Sequence, residues 1–207
     1  MRIDLHTHTS PLSACSYIDP HELVQEARRL NLDGICLTEH QVLWDPAEVD
    51  NLAREGGIQI FRGNEFTTNQ GDILVFGFYE DIKELMIIQE LRAEVQNAGG
   101  YMIAAHPFRG FKTFGIGQLQ MTVEQAARRK VFEYVDAIEV QNGKLSADEN
   151  DMARKVAEKL GLPGTAGSDA HRLDEIATSV TVFENDIRTE NQLVETLHAG
   201  RFKTENR

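Results

Sequence analysis

Short apolar runs alternate along the chain with longer segments in which apolar residues recur every three or four positions. The short runs predict buried strands over residues 2–5, 34–37, 58–61, 73–78, 101–105, 137–140, 163–166 and 179–183. The longer segments predict amphipathic helices over residues 20–30, 46–55, 81–98, 123–134, 147–160 and 189–199. Because strands and helices alternate with short connections, the pattern predicts an α/β fold with a parallel sheet built from βα units.

Local signals mark the ends of several predicted helices. Asp19 precedes Pro20 at the start of the first helix, which suits a side-chain cap followed by proline at the first helical position. Glycines follow the last turns of several helices and can end them: Gly56, Gly57, Gly99, Gly100, Gly161 and Gly200. Residues 108–120 are rich in glycine and phenylalanine and lack periodicity, so they predict a loop over the functional site.

Seven side chains of the types that bind metals lie on five well-separated segments, most of them directly after an apolar run. They are His6, His8, His40, Glu65, His106, Asp169 and His171. Parallel strands bring their carboxyl ends to one rim of a barrel, so these side chains are expected to meet there. A barrel suits this distribution better than an open doubly wound sheet, since the chain has neither a dinucleotide fingerprint nor a P-loop.

The spacing of the histidines strengthens the prediction of a metal site. His6 and His8 flank one residue of a predicted strand, so alternation places both imidazoles on one face. Asp169 and His171 repeat this spacing near the other end of the chain. One such pair is weak evidence for a metal site. However, five of the seven histidines lie at predicted strand ends, which scattered surface histidines would not do. The other two lie in predicted helices and have ordinary structural explanations: His21 and His198.

Composition narrows the classes of protein and partner. The 207 residues, 41% of them hydrophobic, suffice for one domain with a full core over residues 1–207. A net charge of −12 disfavours duplex DNA and anionic membranes but is compatible with a small phosphorylated substrate. No apolar run approaches about 20 residues and the N-terminus enters a strand directly, so neither a membrane span nor a secretory signal is expected. Two cysteines, Cys15 and Cys36, are too few for a disulfide framework, and we expect a reducing cytoplasm.

The segments that carry these residues read DLHTHTS, TEH, GNE, AAHPFR and GSDAH, in this order between residues 3 and 171. This set resembles the PHP (polymerase and histidinol phosphatase) domain family. The resemblance implies a distorted, TIM-like (β/α)7 barrel over the whole chain. It also implies a hydrolase that cleaves phosphoesters with two or three divalent metal ions.

The resemblance implies a role for each ligand. One metal would be held by four residues: His6, His8, Glu65 and Asp169. Glu65 would bridge to a second metal held by His106, and a third would be held by His40 and His171. Nitrogen and carboxylate ligands of this kind suit zinc, manganese or iron, with magnesium possible.

Three positions depart from the family pattern. After the first motif the family often has an acid or a histidine, and this chain has Cys15 at that position. Cys15 is either a zinc ligand or a residue without a role in the site. Just before the fourth strand the family often has a histidine, and this chain has Asp72 there. A carboxylate ligand at this position would favour manganese, iron or magnesium. A frequent ligand position after the strand at 137–140 holds Asn142, a weak ligand better suited to a substrate contact or a turn.

Metal-site chemistry predicts the reaction. A water that bridges two cations loses its proton near neutral pH and attacks phosphorus as a metal-bound hydroxide, while the cations balance the developing charge. Arg109, just after the fourth motif, can reach a phosphoryl oxygen with its planar fork, and Lys112 and Arg172 are weaker candidates. Either Asp169 or His171 is expected to pass a proton to the leaving alkoxide.

Other residues beside the motifs have two interpretations each. Glu39 precedes a candidate histidine ligand and either orients that histidine or is a structural polar residue. Four aromatic residues beside the motif segments either stack on a ring of the substrate or, as we favour, pack around a pocket: Trp44, Phe108, Phe111 and Phe114.

Four functions follow in descending order of support. The first is a metal-dependent phosphoesterase acting on a small phosphomonoester or nucleotide. The second is a nuclease that trims single-stranded ends, which the acidic charge disfavours. The third is a metal-binding regulatory module without turnover. The last is C–N hydrolysis in an amidohydrolase-like barrel, for which no bridging lysine stands at a middle strand end.

Overall fold

A computed structural model of the chain describes residues 1–82, 84–110 and 121–206. The strands are β1 Arg2–Thr7, β2 Gly34–His40, β3 Gln59–Thr68, β4 Gly71–Phe76, β5 Tyr101–Ala104, β6 Ala137–Asn142, β7 Gly164–Gly167, β8 Ser179–Phe183 and β9 Phe202–Asn206. The α-helices are α1 Pro20–Arg29, α2 Pro46–Gly56, α3 Ile88–Asn97, α4 Val123–Ala126, α5 Ala147–Leu160 and α6 Glu190–Ala199. Two short 3₁₀ helices cover Lys130–Glu133 and Leu173–Glu175.

The nine strands form one sheet in the order β7-β6-β5-β4-β3-β2-β1-β8-β9. The pairs β1/β2, β2/β3, β5/β6 and β6/β7 are parallel, as predicted. The remaining pairs are antiparallel, so the prediction of an all-parallel sheet was wrong. Only residues 69 and 70 separate β3 from β4, and a connection this short can form a hairpin but not a crossover.

Strands β1 and β7, the two ends of a seven-strand stretch of the sheet, meet and nearly close it into a barrel. The amide of Asp169 donates to the carbonyl oxygen of His6 at 2.7 Å, and the amide of His8 donates to that of Ala170 at 3.1 Å. These bonds join the segment after β7 to the end of β1, and Thr7 and Ala170 form a parallel bridge. The predicted fold class, a distorted TIM-like α/β barrel, is confirmed.

Glycine makes the approach of β7 to β1 possible. A β-carbon at Gly167 would lie 2.4 Å from the β-carbon of His6 and 3.0 Å from Oε1 of Glu139. Carbon atoms in real structures do not approach so closely, so a side chain here would push the two strands apart. The barrel therefore closes at a residue without a side chain, directly beside a candidate ligand.

Apolar side chains fill the barrel interior and the layers between the sheet and its helices. The interior cluster includes Ile3, Leu5, Cys36, Phe61, Phe76 and Tyr101. One outer cluster lies under α1 and α2 and another under α3 and α5. Cys36 is buried inside the barrel and Cys15 is exposed, and both are free thiols.

Several helix boundaries follow the predicted signals and two do not. The side chain of Asp19 accepts from the amides of His21 and Glu22, so α1 begins as predicted. The helix predicted from residue 81 begins only at residue 88, and the side chain of Asp81 accepts the amide of Leu43. The helix predicted over 123–134 is four residues of α-helix followed by a 3₁₀ turn. The predicted loop at 108–120 lies mostly outside the described residues, and β9 was not predicted.

Across residues 1–82, 84–110 and 121–206, none of the helices combines the length and the apolar composition that crossing a bilayer requires.

Candidate metal centre

The fold brings the seven candidate ligands together at one rim of the barrel. His6 lies in β1, His8 just after it, and His40 is the last residue of β2. Glu65 lies within β3 and pairs in register with His40. Strand β3 is longer than predicted, and it continues beyond Glu65 to Thr68. The last three follow the ends of β5 and β7: His106, Asp169 and His171.

The first group of ligand atoms surrounds one point between β1, β3 and the segment after β7. Nε2 of His6 lies 3.0 Å from Nε2 of His8. Oε2 of Glu65 lies 3.4 Å and 3.2 Å from these two nitrogens. Oδ1 of Asp169 lies 3.6 Å and 3.4 Å from them. Two nitrogens and two carboxylate oxygens thus converge in a space that an ion can fill.

The second group uses the other oxygens of the same two carboxylates. Nε2 of His106 lies 2.8 Å from Oε1 of Glu65 and 3.9 Å from Oδ2 of Asp169. The two oxygens of Glu65 therefore face different imidazoles. A carboxylate in this position can touch two ions at once.

The third group lies nearer the mouth and consists of imidazoles. His8, His40 and His171 each offer a nitrogen within 4.8 Å of the others. The ring of His40 stacks on that of His8 at 4.4 Å between centroids, and its side chain is 41% exposed. Nδ1 of His171 lies 2.8 Å from the carbonyl oxygen of Asp169, so Nε2 is the nitrogen left for a ligand.

The donor set fits divalent metal ions. Three trios of ligand atoms, each within 4.8 Å, occur among the described residues: His8, His40 and His171; His6, His8 and Asp169; His6, Glu65 and His106. Imidazole nitrogens mixed with carboxylate oxygens are the usual ligands of zinc, manganese and iron. Burying this many polar groups together is unfavourable without a cation to bind them.

The electrostatics of the centre also favour a bound cation. Burial lowers the pKa of His6, but Glu139 and Glu65 outweigh burial and raise this pKa to about 10. Burial raises the pKa of Glu65, but His6 and the hydrogen bonds from His106 and His40 hold it well below its ordinary range. Without a metal ion, a proton on His6 balances part of the negative charge of the buried carboxylates. A divalent cation bound here can supply this positive charge instead.

Two of the candidate ligands have a left-handed backbone conformation. The φ angles are 29° at His106 and 56° at Asp169. Residues other than glycine adopt such angles at a cost, and they cluster at functional sites where the surrounding contacts hold them. At His106 the backbone amide donates to Oε2 of Glu139 at 2.8 Å, which fixes the turn after β5.

The buried side chain of Asp4 holds the backbone segments around the centre through hydrogen bonds. Oδ1 of Asp4 accepts the amides of His6 and Ser168, and Oδ2 accepts the amide of Ala177. Burial raises the pKa of Asp4 to about 6 despite these hydrogen bonds. Asp4 thus ties β1 to the segments that flank Asp169.

The structure places the other predicted site residues outside the three ligand groups. Cys15 is exposed, and Asp72 lies within β4 beside a cavity that His106 and Arg109 also line. Neither contributes to a ligand trio among the described residues. Nη2 of Arg109 contacts Oδ2 of Asp169, which places its guanidinium at the mouth of the centre.

The remaining predicted residues have mainly structural contacts or lie outside the described residues. The side-chain amide of Asn142 donates to Glu139 at 3.0 Å and to Asp169 at 3.4 Å. Arg172 pairs with Asp174 on the surface, and Phe108 packs against Phe132 in the core. Three predicted residues lie in the part of the chain that is not described: Phe111, Lys112 and Phe114.

Sequence reasoning missed Glu139, which is 1% exposed and contacts two candidate ligands. It lies in β6, within the run Ala137-Ile138-Glu139-Val140. The available signal is an acid inside an otherwise apolar strand of a barrel. Such a residue is almost never fully buried unless it has a partner.

Comparisons with known proteins agree with this geometry. A family model described as PHP domain matches residues 4–106, and one described as PHP-associated matches residues 147–202. An uncharacterized protein of Methanocaldococcus jannaschii is 25% identical over 117 residues, which cover 52% of this chain and 68% of that protein.

Two solved structures share the fold. The first is a two-domain protein of Bacteroides vulgatus described as containing a predicted PHP-like metal-dependent phosphoesterase, with a TM-score of 0.75 and 22% identity. The match covers 100% of this chain but 64% of the Bacteroides protein, so this chain spans less than two thirds of its length. The second is PsfC of Pseudomonas syringae, with a TM-score of 0.66, 21% identity and coverage of 100% and 91%.

Proposed function

Because this chain belongs to the PHP family of metal-dependent phosphoesterases, we propose that it hydrolyses a small phosphomonoester or nucleotide. The observation that carries this proposal is the position of Glu65. Its two oxygens face separate imidazole groups, at 2.8 Å from His106 and 3.2 Å from His8. A carboxylate shared in this way is what a catalytic pair of ions needs.

We assign the ligands from these distances. One ion would be held by four residues: His6, His8, Glu65 and Asp169. A second would be held by His106 with the other oxygen of Glu65, and a third by His40 and His171. His6 and His8 occur in two trios each, but each has one free nitrogen and can serve one ion. We therefore expect one tight site and two weaker sites.

When bound, divalent ions would lower the pKa of a coordinated water and balance charge on a phosphoryl group. The residues of the chain would position the substrate around this chemistry. Arg109 already lies against Asp169 at the mouth and can turn its fork toward a non-bridging phosphoryl oxygen. His171 stays neutral at physiological pH, because burial and the neighbouring His8 lower its pKa to about 3.

A proton must also reach the leaving alkoxide. Asp169 and His171 both belong to the ligand groups, with Oδ1 of Asp169 at 3.5 Å from Nδ1 of His171. Of the two, Asp169 is the better candidate, because neutral His171 directs Nδ1 to the carbonyl oxygen of Asp169 and offers Nε2 to an ion. We further propose that residues 1–207 form one PHP domain, since the segment after β7 closes on β1 and β8 pairs with β1.

Replacing Arg109 with alanine should lower kcat/KM for a phosphomonoester by about 10²-fold, because one preorganised donor to the phosphoryl group is lost. Metal content should stay at the wild-type level, since Arg109 carries no ligand atom. Steady-state kinetics with parallel metal analysis measures both quantities. Arg154→Ala is the matched control, because Arg154 lies on α5 and contacts Asp151 and Gln141 at the surface. Equal kinetics in Arg109→Ala and wild type would contradict the role.

The proposed function is tested by phosphate release from a panel of phosphomonoesters, mononucleotides and short oligonucleotides. The purified chain is loaded in turn with manganese, zinc or iron. Rapid release from small monoesters, with slow cleavage of oligonucleotides, is the expected result. Cleavage confined to oligonucleotides and lost steeply with salt would instead indicate a nuclease. Bound metal without hydrolysis of any substrate would indicate a regulatory module.

A further inference from the structure

Two buried carboxylates lie behind the paired histidines His6 and His8, on the side away from the ligand trios. Glu139 is 1% exposed and Glu39 is fully buried. Neither belongs to any of the trios found among the described residues. A buried carboxylate without a full set of partners is unfavourable, so the contacts that satisfy each one indicate what it does.

Glu139 contacts two candidate ligands from different trios. Its Oε1 accepts from Nδ1 of His6 at 3.0 Å. Its Oε2 accepts the backbone amide of His106 at 2.8 Å and the side-chain amide of Asn142 at 3.0 Å. A carboxylate accepts and does not donate when ionised, so Nδ1 of His6 must carry the proton. This leaves Nε2 of His6 as the ligand atom.

Glu39 reaches His8 through a serine. The hydroxyl of Ser13 donates to Oε2 of Glu39, and Nδ1 of His8 lies 3.3 Å from the same hydroxyl oxygen. A serine hydroxyl has a single proton, so an oxygen that donates to Glu39 can only accept from His8. Nδ1 of His8 must therefore carry its proton, and Nε2 is again the ligand atom.

Other contacts hold Glu39 in place for this task. Its oxygens accept the amide of Thr9 at 3.0 Å and Nε1 of Trp44 at 2.9 Å. Ser13 also accepts the amide of His40 at 3.4 Å. The serine thus joins three segments of the site, and its orientation depends on the buried carboxylate beneath it.

We propose that Glu139, directly, and Glu39, through Ser13, are positioning residues that set the tautomer and the ring orientation of His6 and His8. Together they turn both Nε2 atoms to the same point, where the two nitrogens lie 3.0 Å apart. In the metal-loaded form both Nε2 atoms are unprotonated, and the cation between them offsets the repulsion of two nitrogen lone pairs this close. The inference rests on the proposed function only in requiring an ion, and not in requiring hydrolysis.

Zinc affinity of the full chain tests the inference, measured by competition with a chromophoric chelator. Glu139→Gln should weaken the tightest site by about 10- to 100-fold, the usual effect of losing a group that orients a ligand. Ser13→Ala should weaken it by about 10-fold. Glu190→Gln is the matched control, because Glu190 pairs with Arg62 outside the site and should change thermal stability but not zinc affinity.

Nitrogen chemical shifts of the zinc-loaded protein separate positioning from a general structural effect. In the wild type, His6 and His8 should show protonated Nδ1 and zinc-bound Nε2. Ser13→Ala should disturb the His8 signals and leave those of His6 in place, and Glu139→Gln should do the reverse. Wild-type affinity and shifts in Ser13→Ala, the smaller change, would overturn the proposal even if Glu139→Gln fails to fold.

This outcome is distinguishable from failure of the proposed function. Weakened zinc binding in the variants of a protein that hydrolyses no phosphoester would support the positioning role and contradict the phosphoesterase. Active hydrolysis by the wild type, with unchanged zinc binding in both variants, would support the phosphoesterase and overturn the positioning role.

Discussion

Glu65→Ala should lower phosphoester hydrolysis by about 10³-fold or more, since it removes electrostatic stabilisation from two ions at once. Metal content should fall in the same variant, because Glu65 offers one oxygen to the His6 and His8 group and the other to His106. Turnover measured beside elemental analysis of the purified protein checks both effects. The two losses should appear together.

His198→Ala is the control for this experiment. His198 is exposed near the end of α6 and contacts Tyr101 through its ring, away from the centre. Its replacement should leave both turnover and metal content unchanged. Full activity in Glu65→Ala, or loss of activity with full metal content, would contradict the bridging role.

Gly167→Ala should destabilise the fold by about 3 kcal/mol, the upper part of the usual range for overpacking. The new β-carbon would lie 2.4 Å from the β-carbon of His6 and 2.9 Å from its backbone nitrogen. The clash falls where the segment after β7 closes on β1, so metal affinity should drop as well. Urea unfolding measures the stability and a zinc titration measures the affinity.

Gly34→Ala provides a comparison for Gly167→Ala. Gly34 begins β2, whereas Gly167 ends β7, and a β-carbon added at Gly34 would meet its nearest neighbours at 3.1 to 3.3 Å. Small shifts relieve contacts of this length, so a milder loss of stability is expected. An unfolding midpoint of Gly167→Ala equal to that of the wild type would show that the barrel closes differently from the structure described.

Much of the candidate site could be predicted from the chain because parallel strands bring their carboxyl ends to one rim. His6, His40 and Asp169 lie at or just after strand ends, and their distance along the sequence does not matter once the strands pair. Helix α5 and strand β8 begin and end where the pattern predicted, since both have clear periodicity and clear end signals.

The direction of several strands could not be predicted because hydrophobic periodicity carries no information about it. Strands β4 and β8 are short apolar runs like their neighbours, yet both pair antiparallel. The two-residue connection at residues 69 and 70 is the sequence signal that β3 and β4 are antiparallel, since two residues are too few for the crossover that a parallel pair needs. Strand β9 is half exposed and polar, so no apolar run marks it.

The contacts of the groups behind the ligands could not be predicted from the sequence. Ser13 and Glu39 meet only because β2 lies beside the segment that follows β1, 26 positions apart. Glu139 and His6 are separated by 133 positions and meet through barrel closure. Spacing along a chain reveals ligands on one strand but not contacts that depend on how two strands pair.

Crystals of the full chain grown with manganese, with anomalous diffraction data, test most directly whether distant segments build one metal centre. We expect the strongest anomalous peak among Nε2 of His6, Nε2 of His8 and the nearest oxygens of Glu65 and Asp169, with a further peak beside His106. Absence of manganese from this rim, with the His6 and His8 rings turned away from each other, would contradict the metal centre and the phosphoesterase together.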